Sequence, residues 1–166
     1  MRHPWATFRT QAGLSQNYVA SVLGVSRHMV IRLEQSLFPS PLHSEALSDL
    51  YSVDQELLIS EYYRYIKTTR LEFSSRYPPF SEVLYHYSGS THPLIYYRER
   101  FGLSRIGLCK GLCLHNDPIT NYEKNDQRGV PQQLIIACNS IEWDYGPLEN
   151  AVNEWRIAGH ADRPKV

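Results

Sequence analysis

His3-Pro4-Trp5-Ala6-Thr7-Phe8-Arg9-Thr10-Gln11-Ala12-Gly13-Leu14-Ser15 returns without a gap as His92-Pro93-Leu94-Ile95-Tyr96-Tyr97-Arg98-Glu99-Arg100-Phe101-Gly102-Leu103-Ser104, 89 residues further on. At the same shift Leu23 meets Leu112 and Glu34 meets Glu123, making eight identical pairs between residues 3–41 and 92–130. Val19 with Leu108, Val25 with Leu114, Val30 with Ile119 and Leu33 with Tyr122 keep apolar character where a helical core needs it. Beyond the following loop a shift of 88 pairs Leu47 with Ile135, Leu50 with Cys138 and Val53 with Ile141. Identity and apolar period agree, which points to a duplicated helical unit.

Within the first copy, Pro4 suits a helix start, Trp5, Phe8 and Ala12 recur at helical spacing, and Gly13 suits the stop. Ser15 caps a second helix through Leu23, with Val19, Val22 and Leu23 facing inward beside small Ala20. Gly24-Val25 makes a tight turn, and Ser26 caps a third helix from Arg27 to about Gln35. So short a turn makes the second and third helices cross steeply. The third can then project into a DNA major groove, held by Val30 and Leu33, with Arg27, His28, Ile31 and Arg32 outward. Arginine pairs bidentately with guanine or grips phosphate.

Gly13-Leu14-Ser15-Gln16, Val19-Ala20, Leu23-Gly24-Val25-Ser26, Val30 and Leu33-Glu34 resemble the Cro and lambda-repressor-like (Xre) helix-turn-helix family over roughly residues 3–58. The resemblance implies an all-α protein of two such helical bundles, each with a helix-turn-helix, joined by a helical connector. It also implies a repressor-like regulator of the kind carried by phages and other mobile elements. Gln16 would touch phosphate at the start of the second helix. The DNA-facing set of the first copy would be Gln16, Asn17, Ser26, Arg27, His28, Ile31 and Arg32.

The second copy departs further: Arg105 replaces the glutamine and Cys113 the turn glycine. Pro118 falls in a first helical turn if Asn116 or Asp117 is the cap, and Asn125 suits the left-handed position at that helix's end. Its outward set would be Asn116, Asp117, Thr120, Asn121 and Lys124, with Arg105 and Lys110 toward phosphates. Asparagine suits adenine, whereas Asp117 would repel the backbone, so a copy kept for packing or dimerisation is the alternative.

Residues 54–76 carry a helical stripe of Leu58, Tyr62, Tyr65, Ile66 and Thr69, read as a connecting helix, which Tyr77-Pro78-Pro79-Phe80 breaks before a short helical stretch through Tyr87. The expected organisation is therefore an N-terminal domain over 1–55, a connector over 56–90, a C-terminal domain over 91–150 and a tail over 151–166, entered by a short helix from Glu149 with Val152 and Trp155 apolar and then frayed. The connector would set the distance between two reading heads. Its many tyrosines read as packing rather than as stacking platforms for single strands, because no basic groove alternates with them.

Composition sets limits on the function classes. The 17 basic and 17 acidic side chains cancel, so attraction to phosphate has to come from local patches. Residues 1–53 carry Arg2, Arg9, Arg27 and Arg32 against Glu34, Glu45 and Asp49. No apolar run is long enough to span a bilayer and no signal-peptide core opens the chain, so a cytoplasmic protein is expected. Cys109, Cys113 and Cys138 with His115 raise the question of zinc, but they fall where Ala20, Gly24 and Leu50 stand in the first copy, and no common ligand spacing is present. No metal and no cofactor are expected. Phosphate-cradling glycine loops, nucleophile elbows and metalloprotease helices are absent from the sequence, and His3 and His92 read as capping or packing groups, so no enzyme is expected.

Two functions follow as expectations. The first is a sequence-specific double-stranded DNA-binding transcription regulator, binding as a monomer to an asymmetric site, with a homodimer as the alternative. The second is an adaptor or antitoxin-like module whose helix-turn-helix scaffold contacts a protein partner, supported by the zero net charge.

Overall fold

The computed structural model describes residues 2–35, 41–124 and 129–159. Among these the chain is all-α, with eleven helices and no strand. It divides into two compact units, Met1–Thr69 and Arg70–Val166, with the division inside one long helix.

The first unit contains α1 (Pro4–Gln11), α2 (Gln16–Leu23), α3 (Arg27–Leu33), α4 (Pro41–Tyr51) and the first part of α5 (Gln55–Ser74). Each start has a local cause. The His3 imidazole accepts through Nδ1 from the Trp5 N–H at 3.4 Å, Ser15 accepts from Tyr18 N–H and Ser26 from Met29 N–H. Gly24 ends α2 in the left-handed conformation at φ 64°, which turns the chain straight into the cap of α3. Trp5, Val19, Val30, Leu33, Leu47 and Leu58 close the core.

The second unit holds the end of α5, α6 (Phe80–Leu84), α7 (Pro93–Arg100), α8 (Arg105–Leu112), α9 (Asn116–Glu123), α10 (Gln132–Asn139) and α11 (Gly146–Ile157). Its local devices match those of the first. His92 Nδ1 accepts from Leu94 N–H at 3.2 Å, Ser104 caps α8 through Gly107 N–H, and Cys113 takes the left-handed position at φ 52°.

Four sequence expectations change. Val22 is half exposed, because the α2 surface turned inward is that of Val19, Ala20 and Leu23. The cap of α9 is His115, not Asn116 or Asp117; the Gln133 side-chain amide pairs with both the N–H and the carbonyl of His115 (2.9 and 3.0 Å), which fixes the turn there. Pro118 still lies in the first turn. The short helix expected at the start of the tail is α11, which begins at Gly146, runs to Ile157 and buries Ala151, Val152 and Trp155, so residues 151–157 belong to the second unit and not to a frayed tail. Asn125 and His160 to Lys165 lie outside the described residues.

The fourth change concerns register. Beyond the loop the repeat continues at a shift of 90, not 88, and it includes five helices in each copy. Leu47 with Ala137, Tyr51 with Ile141, Leu58 with Leu148 and Tyr62 with Val152 are buried in both units. Asp54 and Asp144 each accept from the N–H two residues on, both at 2.8 Å, and Ser52 and Glu142 both have left-handed backbones. Two residues correspond to about 200° around a helix, so the 88 register sets inner faces against outer ones. The residues expected as a connector accordingly divide: Leu58 and Tyr62 belong to the first core, Phe73, Phe80 and Leu84 to the second.

Candidate nucleic-acid interface

Caps at Ser15 and Ser26 and the left-handed Gly24 orient α3 against α2, so that Val30 and Leu33 face the core. Arg27, His28 and Arg32 are then exposed, as is Asn17 on α2, while Ile31 is half-buried. Ser26 spends its hydroxyl on the Met29 N–H. Neither α2 nor α3 carries a carboxylate, and Glu34, next after α3, is held inward.

A network behind this surface sets the arginine nearest α2. Glu34, whose side chain is 8% exposed, takes a salt bridge from Arg9 Nε and a hydrogen bond from Gln16 Nε2 at 2.9 Å. The other end of the Gln16 amide accepts from Arg27 Nη2 at 3.1 Å. Gln16 is thus a link between the buried carboxylate and a surface guanidinium. Arg9 adds a bond to the Leu14 carbonyl at 2.7 Å, which ties α1 to the start of the α1–α2 turn. Burying a carboxylate is costly unless it is paired and hydrogen-bonded, and this set satisfies it.

Repeat two rebuilds the same device. Glu123, at 1% exposure, accepts from Arg98 Nε at 2.8 Å and Arg105 Nε at 2.7 Å, and Arg98 reaches the Leu103 carbonyl. Arg105, expected to point at phosphate, is therefore engaged with Glu123, with one third of its side chain exposed. Asn116, Asp117, Asn121 and Lys124 of the α9 segment and Lys110 of α8 are exposed, and Thr120 donates back to the Asn116 carbonyl at 2.9 Å. Asp117 sits in the first turn of α9, where its charge suits the helix dipole. The second surface thus mixes signs, where α2 and α3 carry arginines and no carboxylate.

Comparison with protein-family models, with curated proteins and with solved structures returned no match. The two buried networks are what sequence reasoning missed. Their signal was present in the identical pairs Arg9 with Arg98 and Glu34 with Glu123, since a charged pair retained in both copies at core-adjacent positions calls for mutual satisfaction.

The remaining chemistry-bearing groups are structural in placement. Burial pushes the Cys109 and Cys138 thiols up to about 12, so both stay protonated. His3 lies among Tyr62, Tyr65 and Trp5, and His92 between Tyr122 and Trp155. Burial lowers both imidazoles to about 4, with Glu34 partly opposing this at His3 and Arg156 reinforcing it at His92. Among the described residues no three His, Cys, Asp or Glu side chains group so as to hold a metal, and no helix is long and apolar enough to cross a membrane.

Proposed function

We propose that the chain is a sequence-specific double-stranded DNA-binding regulator whose α3 enters the major groove. The observation that carries this is the α2–α3 pair: a short left-handed turn, a projecting helix, and an exposed Arg27, His28 and Arg32 with no carboxylate on either helix. The resemblance to Xre-type helix-turn-helix proteins supports the same reading. Gln16 holds Arg27 ready, so the guanidinium loses less side-chain freedom on meeting a base or phosphate. The second unit offers Asn116 and Asn121 beside Asp117, a surface better suited to adenine contact than to phosphate attraction.

Replacing Arg27 and Arg32 together by Ala should weaken binding to duplexes selected from a random pool by about 2–4 kcal/mol and reduce the slope of log affinity against log salt by roughly one to two. Fluorescence anisotropy across a salt series measures both. An unchanged affinity and slope would favour the second reading, a protein-binding adaptor, for which the specific support is the half-exposed Tyr18 and Val22 on α2.

A further inference from the structure

The two repeats treat one matching face differently. In the second, the chain covers the face shared by α7 and α11 with its own α6. Phe80 is fully buried there with its ring 4.7 Å from that of Tyr97, and Leu84, four residues on, is buried beside it. Tyr97 Oη donates to the Pro78 carbonyl at 2.6 Å and Trp155 Nε1 to the Ser90 carbonyl at 2.8 Å, which fastens both ends of the segment.

In the first repeat the same face lies between α1 and α5, with Phe8 matching Tyr97 and Tyr65 matching Trp155. No helix among the described residues covers it. Instead there is a groove of about 370 Å³, with apolar lining from Pro4, Phe8, Leu57 and Tyr65. Leu57 is 45% exposed and lies beside Phe8 and Tyr65 in this lining. In the charged lining Glu61 and Arg64 form an ion pair with each other, which leaves Arg2 as the net positive charge.

We infer that the α1–α5 groove is a docking site for a short amphipathic helix of a protein partner, bearing an aromatic side chain and a leucine four residues apart with acidic residues beside them. The spacing comes from Phe80 and Leu84, which fill the matching groove within this same chain. The acidic flank follows from Arg2, the net cation beside the paired Glu61 and Arg64. Helix-in-groove recognition uses such i, i+4 anchors. The inference is independent of the DNA reading, because the groove is built from α1 and α5 and leaves α3 uncovered.

The test is a display library of helical peptides about 15 residues long, with Phe and Leu fixed four apart, glutamate on the flanks and other positions random. It is selected against the full chain, and the winners are titrated by anisotropy. Enriched peptides should bind about tenfold or more weakly to Leu57→Glu, and equally weakly when their own Phe and Leu become Ala. Position 57 is exposed, so that variant keeps its fold, checked by circular dichroism. Failure to enrich any peptide would overturn the inference, as would peptides indifferent to Leu57→Glu. Self-association of the chain in sedimentation runs that Leu57→Glu abolishes would also overturn it, by assigning the groove to a second copy.

Discussion

Cys113 stands where the first repeat has Gly24, and both residues are left-handed, at φ 52° and 64°. A side chain in that conformation strains the backbone, because Cβ approaches the following carbonyl. Cys113→Gly should therefore stabilise the second unit by about 0.5–1 kcal/mol, the relief of strain exceeding the extra freedom glycine gives the unfolded chain. A urea titration following tryptophan fluorescence reads the shift in midpoint. Turn position and turn conformation were both legible in the sequence through alignment with Gly24. The retained pairs Arg9 with Arg98 and Glu34 with Glu123 signalled a shared ion pair, but that Glu34 and Glu123 are buried hubs joined also by Gln16 and Arg105 depends on which side chains the fold brings to them across 18 and 25 residues of chain. Local patterning carries no information about such partners.

At the level of elements, α6 is five residues long and too short to be stable alone, so its order comes from the α7–α11 face that it covers. Phe80 is the anchor, touching both Tyr97 and Trp143. Phe80→Ala should cost about 3–4 kcal/mol, seen as a lower urea midpoint for the second unit. The helix-turn-helix elements were legible because caps, glycines and apolar period all agree there. The α4 and α10 register was not, since both candidate shifts pair apolar residues with apolar residues. Burial and turn geometry separate them: Leu47 and Tyr51 lie inward with Ala137 and Ile141, and Asp54 and Asp144 cap alike, whereas Ile135, set against Leu47 at a shift of 88, is only partly buried. The inward phase of α2 failed for a related reason, in that Val22 is as apolar as Val19 but sits on the other side of the helix.

Across the whole molecule the two imidazole caps make stability depend on pH. His3 and His92 have folded-state values near 4 against 6.5 for an unperturbed histidine, so between those limits the unfolded chain holds more protons than the folded one. Stability is full above about pH 6.5 and falls as the pH drops toward 4, by roughly 1.4 kcal/mol per pH unit for each histidine. Urea unfolding at a series of pH values should show this slope. His92→Asn keeps a capping acceptor but removes the titration, so it should lower the slope by about one proton whatever it does to absolute stability. An unchanged slope would show that other groups carry the acid response.

The sequence by itself determined that the chain is helical and duplicated, and that each copy contains two helices joined by a short turn, because those properties follow from residue spacing, serine caps and turn positions acting over a few residues. Tertiary structure alone decided that each copy comprises five helices, that the expected connector is shared between two cores, that Gln16 and Arg105 answer to buried glutamates, and that one of two matching grooves is filled by α6 while the other has no helix over it among the described residues. These outcomes depend on which distant surfaces can bury one another, a question of packing and desolvation that periodicity along the chain does not encode.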